Sequence, residues 1–202
     1  MRTLMLAGGL LVLLAIPAQA NESAYSERDL DRCTILSETD EGPSVSMKCA
    51  GHGDLPVYFK EGDLRQSQAY GPIGKAWLDE AFETFGPFNH SNATIEWRLD
   101  ASGRAFATIV RWFVSDPEAS GEGETRYGQV LVVSTVATAD NPTSCVAGYV
   151  DALANKDANL LARKVADEEA HDFACGLGEP RWHGERGALA GEPMRHLPAA
   201  VE

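Results

Sequence analysis

Basic residues are scarce in this chain, and the short motifs that announce a chemistry are missing from it. Lysine and arginine number 17 against 30 aspartates and glutamates, a formal charge of −13 over 202 residues. Nucleic acids and anionic membrane surfaces select basic patches, so neither is expected as a partner. After residue 20 no apolar run is long enough to cross a membrane. There is no Cys-x-x-Cys, no His-Glu-x-x-His, no Gly-x-Ser-x-Gly elbow and no phosphate-binding glycine loop. The strongest sequence signatures of zinc sites, acyl transfer and nucleotide binding are therefore absent. No carboxylates pair at metal spacing, and no internal repeat is found. The expectation is of no cofactor and no metal.

What is present begins with a targeting segment. Within residues 1–20, Arg2 supplies a positive start, Leu4 to Ile16 an apolar stretch, and Ala18-Gln19-Ala20 a small-residue cleavage signal. These features predict a cleaved secretory signal, hence a periplasmic or extracellular protein with no membrane insertion after cleavage. No cysteine follows the cut, so lipid anchoring is not expected. Removing Arg2 leaves the remainder more acidic still. All four cysteines, Cys33, Cys49, Cys145 and Cys175, lie in the exported part, and an even count in an oxidising compartment reads as two disulfides. Three connectivities are open. Cys33 with Cys49 and Cys145 with Cys175 is the expected one, because each pair closes a local supersecondary unit.

Residues 21–32 form a polar leader, expected to be mobile, and residues 33–177 a single domain. Cys33–Ser37 and Ser44–Cys49 read as a hairpin, followed by strands at 55–60 and 64–70. From Lys75 to Phe85, Trp77, Leu78, Ala81, Phe82 and Phe85 recur at helical spacing, which predicts a helix of about three turns. Thr94–Asp100 alternates, with Ile95, Trp97 and Leu99 expected inward and Glu96 and Arg98 wet. The stretches 104–114 and 126–136 are apolar on both faces, as central strands covered on two sides would be, with an exposed loop expected between them. A strand opening at Cys145 and a long helix reaching toward Cys175 complete the domain. Residues 178–202, rich in glycine and proline, are expected to be largely disordered. The predicted class is α+β: an antiparallel, meander-like sheet of about six or seven strands, with a long C-terminal helix on one face and a short helix at an edge. An all-β barrel with a peripheral helix is the alternative.

Two constellations carry candidate chemistry. On a wheel of about 100° per residue, Glu169 falls about 20° from Ala158, inside the arc of Leu161, Ala162 and Val165. An acid in an apolar stripe must be paired or have its pKa raised. Arg111 and Arg98 are the candidate partners, and a structural ion pair is the plainer reading of such a contact. His52 and Asp54, in a glycine-rich loop, form a second possible acid/base pair. A competing metal reading rests on His171 and Cys175, four apart on the helix, with scattered His52, His90 and His183, but without a Cys-x-x-Cys or His-Glu-x-x-His motif no metal site is expected.

Three patches carry a resemblance: Pro87-Phe88-Asn89-His90 with Glu96-Trp97-Arg98-Leu99; Gly128 to Val133; and Tyr149 to Asn155 through to Asp172-Phe173-Ala174-Cys175. They resemble a group of small exported bacterial proteins with no assigned activity, over roughly Leu30 to Trp182. The resemblance implies export and a single domain, and carries over no catalytic residue. The resulting expectation is a noncatalytic binding or accessory protein, taking an unknown protein or small ligand in the cell envelope. A small enzyme built on one of the two constellations is the alternative. A pocket lined by both members of a pair would favour the enzyme, and a flat apolar surface bearing Trp77 or Trp182 a binding module.

Overall fold

A computed structural model describes residues 21–39, 42, 44–116, 118 and 126–198. The expected signal segment, 1–20, lies outside them, as does most of the loop expected over 115–125. The described residues are mostly β, 47% strand and 16% helix, which corrects the expected α+β class. In chain order the elements are β1 (Glu22–Glu27), β2 (Thr34–Thr39), β3 (Ser44–Ala50), β4 (Pro56–Gly62), β5 (Arg65–Tyr70), α1 (Lys75–Glu80), β6 (Phe82–Phe85), β7 (Asn89–Ser91), β8 (Thr94–Leu99), β9 (Ala105–Ser115), β10 (Tyr127–Thr135), β11 (Val146–Asp151), α2 (Ala158–Val165), β12 (Arg181–His183) and β13 (Pro193–His196). A seven-stranded sheet runs β1-β8-β9-β10-β11-β12 with β7 also on β9; β2 to β5 form a four-stranded meander; β6 and β13 form a ribbon. The large sheet is mixed, because β12 runs parallel to β11.

The two-sided apolar pattern of β9 and β10 explains the layering. Val110, Trp112, Val114, Val130 and Val132 face the four-stranded sheet and pack with Val57, Phe59 and Tyr70 in one core. Ala107, Ile109, Leu131 and Val133 face the other way, onto Ala158, Ala162, Val165 and Ala166 of the helical layer. Each fully buried aliphatic or aromatic side chain here contributes about 1.5–3 kcal/mol. The order of layers is sheet, sheet, helix.

The C-terminal helix is shorter than expected. After α2 the chain widens into a π-helical turn, Ala166–Ala170, and each residue of such a turn advances by less than in an α-helix. Ala170 is thereby kept on the buried face, and Glu169 slips toward its edge. The other helix also stops early. α1 ends when Ala81 turns extended, at φ −64° and ψ 129°, because Phe82–Phe85 pairs with β13 instead. A local helical pattern is overridden by a partner more than 100 residues away.

β8 is not wet on its outer face either. Glu96 and Arg98 are buried beneath the helical segment, where Arg98 binds Asp167 through two bonds of 2.9 and 2.8 Å and Arg163 binds Glu96 at 2.6 Å. Residues two apart on a strand are about 6.6 Å apart, and four residues of helix rise about 6 Å. Two strand positions therefore match two helix positions, and the charges interlock.

Neither end of the chain behaves as the sequence suggests. Glu22–Glu27 of the expected mobile leader pairs along β8 from Leu99 to Thr94. The tail is ordered through residue 198: Arg181–His183 adds to β11, Ala188–Ala190 forms a 3-10 turn, and Pro193–His196 joins β6. Asp151, 2% exposed, holds it by accepting the Gly187 amide at 2.8 Å. The expected limits at 32/33 and 177/178 are thus not limits of packing. Among the described residues, no helix is long and apolar enough to cross a membrane.

Candidate functional site

Both disulfides form as the sequence predicts, Cys33–Cys49 and Cys145–Cys175, as in a protein of an oxidising compartment. The second ties the start of β11 to the segment just beyond the π-turn. It thereby holds His171 and Phe173 over one end of the large sheet.

A cleft of about 280 Å3 opens there. One wall is the β8–β9 turn with Asp100 and Arg104, another the β10–β11 connection with Thr138, Asn141 and Thr143, and the roof carries His171 and Phe173. The His171 imidazole lies flat on Phe106, with ring centroids 4.1 Å apart and planes 14° from parallel. Thr135, also in the lining, has its Oγ1 3.5 Å from the Cys175 sulfur, so the disulfide lies beside the cleft.

The charges at the mouth satisfy one another. Asp100 accepts from the Ser102 hydroxyl at 2.6 Å, from the Ser102 and Arg104 amides, and from the Arg104 guanidinium. The Ser102 hydroxyl and the Arg104 amide lead in holding its carboxyl well below the usual range. The other polar groups of the lining are neutral: Thr143 donates to Asn141 Oδ1 at 2.7 Å, and Asn141 and Thr138 are exposed. No hydroxyl or thiol is hydrogen-bonded to the His171 imidazole among the described residues.

The residues singled out from the sequence are dispersed. Glu169 does reach an arginine, but it is Arg181, with Nη2 at 3.2 Å from Oε2. The His183 Nε2 lies 3.5 Å from the same oxygen, and the Glu169 side chain is 27% exposed. Arg98 is engaged by Asp167, and Arg111 donates to Gln129 and Asn159. His52 is half-buried with its ring 6.2 Å from Trp97, while Asp54 is exposed; no hydrogen bond joins the two side chains among the described residues. Trp77 is buried, donating to Ser144 O at 2.7 Å. Trp182 packs on Tyr149 and under Arg186.

The cleft as a whole escaped sequence reasoning because its lining comes from three segments of the chain, 100–106, 135–143 and 170–173, far apart in sequence. The one local signal was the Asp100-Ala101-Ser102-Gly103 turn, which marks a bend and not a site. A second polar centre was equally hidden: Glu83, which burial pushes above the usual carboxylate range, accepts from the Val146 amide and from Arg195. No protein-family model, curated protein or solved structure matches the chain.

Proposed function

We propose that this is an exported, noncatalytic binding protein of the cell envelope, and that the cleft beneath His171 takes a small neutral ring bearing hydroxyls, such as a monosaccharide unit. The observation that carries the reading is the pairing of an aromatic platform with neutral hydrogen-bonding groups at one disulfide-braced end of the sheet. An apolar ring face stacks on the exposed imidazole and Phe173, and hydroxyls meet Asn141, Thr138 and Thr143. Anionic ligands fit less well because the whole chain is strongly acidic, and Asp100 and Arg104 already neutralise each other, which offers a charged ligand no free counter-charge at the mouth. The signal segment and the two disulfides support export.

Saturation-transfer NMR with a panel of free monosaccharides tests this. At least one sugar should receive magnetisation from the wild-type protein and lose most of it with His171→Ala or Asn141→Ala. No transfer to any sugar, or transfer unchanged in both variants, overturns the reading.

A further inference from the structure

At the far edge of the small sheet, β2 is exposed at all six of its positions, and among the described residues it pairs with β3 alone. Its sequence contains neither lysine nor proline, the residues that most often blunt an open edge. Ile35 and Leu36 are 54% and 43% exposed. The register shifts between Ile35 and Ser37, so Leu36 is the extra residue of a bulge, and a bulge re-aims a side chain. Leu36 and Ser37 consequently both line a groove of about 470 Å3 walled by Leu78 and Phe82. Ile35 stands opposite Met47, which packs on the core between the sheets. A strand laid along β2 would meet an apolar side chain on each of its faces.

Charge decides which strand. Glu38 lies on β2, and Glu61 and Glu80 line the groove beside Asp79, whose carboxylate is paired with Lys75. Lys60, the base in that lining, is engaged by the carbonyls of Asp79 and Ala81. A second copy of this chain would bring the same acids and a net −13, so self-pairing is opposed and a cationic strand is attracted. We propose that the edge from Thr34 to Glu38 takes up an extended basic peptide as a fifth strand of the small sheet. Backbone hydrogen bonds supply affinity, and alternate apolar residues flank Ile35 and Leu36.

The probe is a short peptide alternating lysine and valine, titrated into the oxidised mature protein by fluorescence anisotropy. Its glutamate–valine counterpart and a version N-methylated on alternate amides serve as comparisons. Binding of the lysine peptide should weaken with salt, protect β2 amides from hydrogen exchange, and fall by about tenfold or more with Ile35→Lys/Leu36→Lys. Both positions are exposed, so that variant retains the fold, which its thermal midpoint checks. Absence of binding, equal binding of the glutamate peptide, or indifference to N-methylation overturns the proposal. Slow self-association of the free protein through β2 would overturn the choice of partner.

Discussion

Arg195 donates from Nε to Oε1 of Glu83 at 2.7 Å, joining residues 112 positions apart. Both side chains are largely withdrawn from water, at 15% and 6% exposure, and the second oxygen of Glu83 accepts the Val146 amide. The contact fastens the C-terminal ribbon to the body of the fold. It also places an ionisable group where removing either partner leaves a buried charge alone, and such a loss costs about 3–5 kcal/mol.

The sign of the pH dependence at Glu83 follows from its environment. Burial pushes this carboxyl above its ordinary value of 4.5, against the opposing pull of Arg195 and the Val146 amide. A group whose pKa is raised on folding contributes stability below the unfolded value and loses it as pH climbs through the folded one. Glutamine stays neutral throughout. Denaturant unfolding of Glu83→Gln and wild type at matched pH should therefore show the difference moving in favour of glutamine as pH rises above about 4.5. At the starting pH the wild-type carboxyl is protonated as well, so the offset there reflects only the exchange of a carboxylic acid for an amide. A difference moving toward the wild type would mean that the ion pair outweighs burial.

Gly128 decides whether the tail docks. A Cβ there would lie 1.7 Å from the carbonyl oxygen of Leu189, a backbone atom that cannot step aside. Gly128→Ala should expel the 3-10 turn, destabilise the protein by about 1–3 kcal/mol, and speed tryptic cleavage at Arg186. Gly62→Ala is the control, since its Cβ meets only the Ser44 Cβ at 3.5 Å. Equal proteolysis of the two variants would remove Gly128 from this role.

The two disulfides should account for all reactive sulfur. Thiol titration of the unfolded, unreduced protein should find none, since no cysteine is free. The bridges span 16 and 30 residues, so replacing either pair by serine should cost about 3–4 kcal/mol in the chain-entropy account. Loss of Cys145–Cys175 should also weaken sugar binding at the His171 cleft, and loss of Cys33–Cys49 should not. Stoichiometric thiol, or equal effects on binding, would contradict this division.

Features governed by neighbours in sequence were readable. The hairpin around Cys33 and Cys49, the two-faced strands β9 and β10, and both disulfides depend on alternation and local closure, which a sequence displays directly. The helix over Lys75–Phe85 was misread because its apolar spacing suits a helix, while Phe82–Phe85 gains more by pairing with Pro193–His196. Glu96 and Arg98 were read as wet because nothing in β8 announces Arg163 and Asp167 above it. Glu169 was correctly matched to an arginine and wrongly to which one: Arg181 stands in a segment whose glycines and prolines suggested disorder.

The sequence by itself marked the two-faced central strands, favoured the cysteine pairing that forms and determined the acidity of the chain, because each rests on residue type or short-range spacing. The layers, two sheets and a short helix in place of one sheet and a long helix, were not among them. Only tertiary structure decided the ends and the site. Glycines in the tail and beneath it let backbone approach backbone at Leu189, and Asp151, Glu83 and Asn155 satisfy tail groups that a linear reading leaves to water. The cleft exists because a disulfide brings His171 over Phe106, a neighbour 65 positions earlier in the chain, and no period or motif encodes that distance.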